Sequence, residues 1–413
     1  MVALTINSII GSGVFGLPSV VAGLLGRLSP VAVLLAGAAM GVFMACFAEV
    51  ASQFSGAGGP YLYVRTAFGP LAGIEVGWLF YLAQSAASAA NANLFVIYLG
   101  EFWPHAKDPW PRFLVISLLI GILTLLNIRG VKAGARVSDI FTVAKLVPLL
   151  LVAGVGVVAL HGHAAAGTPW LTTTPHSWLS AMLLLVFAYG GFESALALTA
   201  EAKDPQRDVV FSLFTALVVC GAIYAAVQCA VVGLLPNAAH TDRPLAEVAR
   251  LTMGGAGAAF VAVGALLSMY GYLSAKILSM PRVTYALGQS GDLPQQFAAI
   301  HPRFLTPHVS IAVFSMLVWL LALAGSFGWN VTLSAVARLL YYGLVCAALP
   351  VLRRMQPAAA RFRLPGGVGF AGLGVVLCLV LATQLDLSKS LILSGVMAVA
   401  LVNWLWVRKR AAA

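Results

Sequence analysis

The chain has 413 residues, of which 61% are hydrophobic and 9% charged, with a mean hydropathy of +0.96. Soluble domains carry roughly 25% charged residues, so the composition excludes a soluble enzyme or binding module and defines a polytopic membrane protein. The net charge of +11 sits at the ends of apolar runs and reports topology, not nucleic-acid affinity.

Five cysteines (Cys46, Cys220, Cys229, Cys346 and Cys378) all fall inside apolar runs. That placement argues against a disulfide framework, and no spacing suits a metal. No basic segment precedes the first apolar run, so no signal peptide is expected. The chain is expected to start late, because no cytoplasmic tail precedes the first span.

The first apolar run is interrupted over residues 7–18 by Gly11, Ser12 and Gly13. Residues 1–10 as a helix cover only ~15 Å, half of a ~30 Å hydrocarbon core. The second half, from Val14 to about Gly26, covers a similar distance. Irregular backbone at that depth is tolerated only where it is buried in protein or lines a cavity. The N-terminus of the second half-helix offers N–H groups and a positive dipole end to a carboxylate. The carbonyls ending the first half suit an ammonium or a cation. A zwitterion fits such a gap.

Further apolar segments follow at 31–53, 71–98, 113–127, 137–160, 177–200, 209–235, 256–287, 308–327, 331–352, 367–385 and 391–407. Each is near the ~20 residues needed to span, giving about twelve spans with no soluble domain. With the N-terminus inside, fifteen Lys and Arg residues fall on the cytoplasmic side: Arg65, Arg129, Lys132, Arg136, Lys203, Arg207, Arg282, Arg303, Arg353, Arg354, Arg361, Arg363, Arg408, Lys409 and Arg410. Six fall outside: Arg27, Lys107, Arg112, Arg243, Arg250 and Lys389. This bias predicts that both termini are cytoplasmic.

A second break appears within 183–200, where Gly190 and Gly191 interrupt the run and Glu193 follows at membrane depth. Spans one and six each open a set of five. Paired glycine-interrupted segments in corresponding positions point to a transport site on an inverted repeat, whereas a lone glycine break more often serves close packing.

Ile-Ile-Gly-Ser-Gly-Val-Phe at 9–15 and Phe-Ala-Tyr-Gly-Gly-Phe-Glu at 187–193 resemble the first- and sixth-span signatures of the amino acid–polyamine–organocation (APC) family. Supporting matches are Gly58-Gly59-Pro60-Tyr61-Leu62-Tyr63 with Ala67-Phe68-Gly69, and Asn127-Ile128-Arg129-Gly130-Val131-Lys132. Others are Glu201-Ala202-Lys203-Asp204-Pro205, and Pro281-Arg282 followed by Ala286-Leu287 and Gly291-Asp292-Leu293-Pro294. The ordered set covers roughly residues 5–310; the last two spans carry no such motif.

The resemblance implies an all-α integral membrane protein with a LeuT-like 5+5 inverted repeat and discontinuous helices 1 and 6. Its divisions would be a first repeat at 1–160, a second at 177–352 and accessory helices at 366–408. It implies transport of amino acids by alternating access. By the same resemblance the substrate carboxylate would bind the N–H groups of Ser12 and Gly13. The ammonium would bind the carbonyls of Ile9, Phe187 and Gly190. Gly11, Ala188, Tyr189 and Gly191 complete the implied lining, and Phe192 resembles a gating or side-chain contact; packing or lipid exposure is its plainer alternative.

Lys145 lies about nine residues, ~14 Å, beyond Arg136, too deep to snorkel comfortably. An intramembrane lysine should face a cavity or a partner. Phe141-Thr142-Val143-Ala144-Lys145-Leu146 resembles the fifth-span segment whose lysine replaces sodium in many sodium-independent members. Lys145 is therefore expected to hold the first break through backbone oxygens near Ile10 and Gly11. It would serve either as a proton-coupling group or as a tether that stays charged. Glu193 is the other intramembrane charge of interest, as a ligand for a substrate amine, a proton carrier, a gate or a structural group. Glu49 and Glu75 sit nearer span ends, where pairing with Arg or backbone is expected. Lys276 and Arg338 lie within spans eight and ten, and the sequence assigns them no role. His161, His163 and His176 fall in an outer loop and need no metal. Asn91 and Asn93 suit interhelical hydrogen bonds.

A small apolar lining apart from Glu193 favours small or medium neutral amino acids. Proton symport, exchange and uniport all remain open, as do polyamine/amino acid antiport and a non-transporting amino-acid sensor. A membrane-embedded enzyme would need clustered titratable groups at one depth, which the sequence lacks. No cofactor, nucleic acid or obligate protein partner is expected, only an amino acid substrate, protons and membrane lipid. The compact alanine-rich chain suits a prokaryotic inner membrane.

Overall fold

The computed structural model describes residues 2–54, 59–130, 135–160, 167–196, 205–356, 360 and 362–412. Gly58, Val131, Lys132, Glu201, Ala202, Lys203, Asp204, Arg361, His161 and His163 lie outside the described residues, as do the side chains of Arg136, Phe141, Thr142, Val143, Ala144, Arg207 and Arg410.

The described residues form helices and no strands. In chain order they are α1 (Val2–Ile9), α2 (Ser12–Leu25), α3 (Ser29–Ser52), α4 (Gly59–Phe68), α5 (Pro70–Leu99), α6 (Pro109–Ile128), α7 (Ala135–Leu160) and α8 (Pro175–Tyr189). Then follow α9 (Phe192–Leu196), α10 (Pro205–Leu234), α11 (Pro244–Gln289), α12 (His308–Ala324), α13 (Phe327–Met355), α14 (Gly367–Ala382) and α15 (Leu387–Ala412). Among the described residues, seven stretches are long and apolar enough to cross a bilayer, and three shorter apolar helices accompany them.

Local chemistry sets many of the helix ends. Pro70, Pro109 and Pro175 occupy first helical positions, where a missing N–H costs nothing. The hydroxyl of Thr174 accepts the Ser177 N–H at 3.2 Å, and that of Ser326 accepts the Trp329 N–H at 3.3 Å. Two elements differ from the sequence expectation. Residues 59–68 form the short helix α4. α11 begins twelve residues before the expected span at 256, with a kink at Gly254 (φ 74°), so Arg250 lies on a helix.

α5 is the axis of the bundle. It packs against α4, α11, α12, α13 and α15 and is buried on nearly all sides from Gly73 to Tyr98. Outward-facing residues such as Leu118, Ile122, Val218, Leu379 and Val402 are exposed. An apolar exterior around a tightly packed interior is stable only in lipid.

Ion pairs gather at opposite ends of α5. Near its Pro70 end, Arg65 pairs with Asp292, and Tyr61 donates to the same carboxylate. Arg353 grips Glu49 through Nε at 2.5 Å and Nη2 at 2.6 Å, and Leu364 N donates to Glu49 Oε2 at 2.8 Å. Near its Leu99 end, Lys107 pairs with Asp242 and Arg250 with Glu101.

Candidate functional site

Both interrupted helices meet in the interior. The first helix breaks at Ile10 and Gly11, and α2 already begins at Ser12. Ser12 and Gly13 therefore form the first turn of the second half-helix and do not lie inside the gap. α2 resumes directly after Gly11 (φ −131°, ψ −145°), where Asn91 Oδ1 accepts the Ser12 N–H. The second helix breaks at Gly190 and Gly191, between α8 and α9. α1 contacts α9 and α2 contacts α8, so the two broken helices run antiparallel with their gaps side by side.

Glycine is required here by geometry. A methyl on Gly13 would lie 2.8 Å from the Ala188 α-carbon, so α2 and α8 touch through bare backbone. Gly191 has φ +112°, and a methyl on it would meet the Ser8 carbonyl oxygen at 2.2 Å. A methyl on Gly190 would enter the Arg338 guanidinium, 1.9 Å from Nη1. Gly13, Gly190 and Gly191 leave no room for a side chain.

The free backbone groups of the first break have partners from distant helices. Asn91 Oδ1 accepts the Ser12 N–H at 3.2 Å. Lys145, fully buried in α7, donates to Ile10 O at 2.8 Å and Asn7 O at 3.0 Å. Its ammonium thus sits at the negative end of α1. The Tyr224 hydroxyl donates to Ala188 O at 3.1 Å and lies 3.4 Å from Ile9 O, spanning both broken helices. Phe187 O accepts the Gly190 N–H at 3.2 Å. Ser12 Oγ is buried without a hydrogen-bond partner.

The second break is anchored by Glu193. Its Oε1 accepts from Arg338 Nη1 at 2.6 Å, Tyr341 OH at 2.9 Å and Gln84 Nε2 at 3.1 Å. Its Oε2 accepts from Gly191 N at 2.9 Å and Tyr342 OH at 3.1 Å. Five donors saturate a carboxylate with about four lone-pair sites, leaving it no capacity for a substrate amine. Glu193 instead fastens α9 to α5 and α13, and Arg338 is its counter-ion. Lys276 Nζ donates to Ser194 Oγ at 2.5 Å.

Phe192 is fully buried and packs edge-to-face on Phe47, with centroids 5.2 Å apart, and against Tyr342; it faces the bundle and not lipid. Tyr189 donates to Val33 O at 3.0 Å, away from the break. Asn93 accepts from Arg112 at 3.0 Å. His176 is exposed in the first turn of α8. Among the described residues, no group of three or more His, Cys, Asp or Glu side chains could hold a metal.

Sequence reasoning passed over Gln84, Tyr224, Tyr272, Tyr341 and Tyr342. One signal was available: Gln84, Ser88 and Asn91 recur at helical spacing as a polar stripe along α5. Two cavities lie elsewhere. One is lined by Tyr61, Trp78, Tyr81, Asp292 and Asn403, the other by Asn93, Lys107, Arg112, Asp242 and Phe327.

Broken helices meeting inside an apolar bundle are the arrangement on which many membrane transporters build their sites. The chain matches the amino acid permease family model over residues 1–405 and belongs to that family, the APC permeases whose span signatures it carries. It is 28% identical over 410 residues to the branched-chain amino acid permease BcaP of Bacillus subtilis (strain 168), covering 92% of this chain and 86% of the relative. It is 27% identical over 389 residues to the methylthioribose transporter of the same organism, covering 88% and 82%. It is also 30% identical over 383 residues to an uncharacterized transporter of Mycobacterium tuberculosis (strain ATCC 25618 / H37Rv), covering 86% and 79%.

Proposed function

We propose that this permease carries amino acids across the cell membrane by alternating access, with the substrate bound between the two helix breaks. The observation that carries this reading is the antiparallel contact of α1–α2 with α8–α9 through Gly13, Ala188 and Gly191. Small relative movements of the half-helices would open the gap to one side or the other. The substrate carboxylate would meet the α2 N-terminus at the Gly13 N–H and Ser12 Oγ, since the Ser12 N–H is already held by Asn91. The ammonium would use the second lone pairs of the Ile9 and Phe187 carbonyls and the Gly190 carbonyl.

The five-plus-five division at 1–160 and 177–352, with accessory helices at 366–408, follows from the same pairing of breaks. The Lys and Arg bias supports cytoplasmic termini, and the compact alanine-rich chain suits the inner membrane of a prokaryote. Lys145 supports sodium independence, because its ammonium occupies the carbonyls of Asn7 and Ile10 that a cation would use. Glu193, saturated by its donors, holds the moving half-helix; a proton, if one is coupled, would pass through Lys145. Polyamine exchange is disfavoured because, among the described residues, the carboxylate at the break, Glu193, has no free acceptor capacity.

The test is uptake of labelled amino acids into proteoliposomes, with and without an inward proton gradient and with and without internal amino acid. Gradient-driven accumulation into empty vesicles gives symport, and uptake only into loaded vesicles gives exchange. No uptake of any amino acid under either condition overturns the reading.

A further inference from the structure

Four charged side chains surround the paired breaks: Lys145, Lys276, Arg338 and Glu193, each no more than 4% exposed. Three cations against one carboxylate leave two positive charges in excess in a region closed to water. Two of the cations are compensated. Lys145 lies on carbonyls at the negative end of α1, and Arg338 pairs with Glu193 at 2.6 Å. Lys276 is not. Among the described residues no carboxylate lies within ion-pair distance of it, and its hydrogen bond is to a neutral hydroxyl, Ser194 Oγ. The Tyr272 ring, 5.3 Å away at its centroid, adds a weak π contact. An ammonium has three donors, and Ser194 uses one.

Position makes this charge relevant to substrate. Tyr272 and Lys276 are one turn apart on the same face of α11. The Tyr272 ring lies against Gly11 of the first break, where a methyl would be 3.3 Å from Cδ2, while Lys276 reaches Ser194, three residues past Gly191 of the second. This face therefore runs from one break to the other. At its first-break end lies the buried, unpartnered Ser12 Oγ. Two buried cations sharing one carboxylate leave a positive charge in excess, which is costly in a membrane interior. An anionic group arriving with substrate would neutralise it.

We propose that Lys276 is a specificity-determining residue that binds an acidic group on the substrate side chain. The permease then takes dicarboxylic amino acids in preference to neutral ones and rejects basic ones. This rests on the amino acid transport reading above, and it replaces the preference for neutral substrates expected from the sequence. The same ammonium is repelled by any cationic side chain, which supplies the rejection.

Proteoliposomes preloaded with unlabelled amino acids would be assayed for uptake of L-glutamate, L-aspartate, L-leucine and L-lysine by the wild type, Lys276→Met and Lys276→Arg. The wild type should favour the acidic pair. Lys276→Met should lower their uptake efficiency at least tenfold while changing L-leucine uptake less than threefold, and Lys276→Arg should retain acidic uptake. A wild type that moves neutral but not acidic amino acids overturns the proposal, as does Lys276→Met lowering all substrates equally. If the Met variant does not fold, the thermal shift of the wild type decides: stabilisation by L-leucine and not by L-glutamate overturns the proposal. Failure of the wild type to take up any amino acid overturns the transport reading itself, and the proposal falls with it.

Discussion

Replacing Glu193 with alanine removes the acceptor of five hydrogen bonds while leaving the guanidinium of Arg338 buried without its carboxylate. Breaking a buried ion pair from one side costs about 3–5 kcal/mol. The orphaned donors of Gln84, Tyr341, Tyr342 and Gly191 push the loss towards the upper value. Arg338→Met is gentler, because the carboxylate keeps those four neutral donors; about 3 kcal/mol is expected. The double variant should lose less than the sum of the two, since neither charge is then stranded. Mixed-micelle unfolding of the purified protein by sodium dodecyl sulfate reads all three. The reasoning is refuted if Glu193→Ala unfolds within about 1 kcal/mol of wild type, or if the two single losses add.

Gly191→Ala meets both a positive φ of +112° and the Ser8 oxygen at 2.2 Å; it should destabilise by more than about 3 kcal/mol and abolish uptake. Gly395→Ala, with nothing within 4 Å of the added methyl, should leave midpoint and uptake unchanged in the same assays. Lys145→Met removes two charge-assisted hydrogen bonds to Asn7 and Ile10, so a loss of about 3 kcal/mol and faster hydrogen exchange in α1 are expected. Unchanged exchange there would show that the lysine does not hold the break.

The broken first and sixth apolar runs were legible because glycine interruptions and hydropathy are local properties of the chain. Lys145 was legible too, since a charge so far from a span end has few places to go. The carbonyl pair it holds, Asn7 and Ile10, lay close to the expected oxygens near Ile10 and Gly11, because both sit at the end of α1. The start of α2 was displaced by two residues because helix resumption depends on Asn91 capping the Ser12 N–H from 79 positions away. From sequence Glu193 stays open as a substrate ligand, a proton carrier, a gate or a structural group, since nothing adjacent in the chain reveals its donors on α5 and α13. Lys276 and Arg338 were visible as intramembrane charges without assignable partners for the same reason.

By itself the sequence determined a helical membrane protein of the amino acid permease family, with two paired interruptions and its basic residues biased to one side. Each of these depends on composition, spacing or charge read along the chain. Only the tertiary structure decided which buried charges are neutralised. Arg338 lies 145 residues from Glu193, and Lys276 lies 82 from Ser194. The strength of a buried charge pair is set by distance and desolvation in space, and sequence separation carries neither.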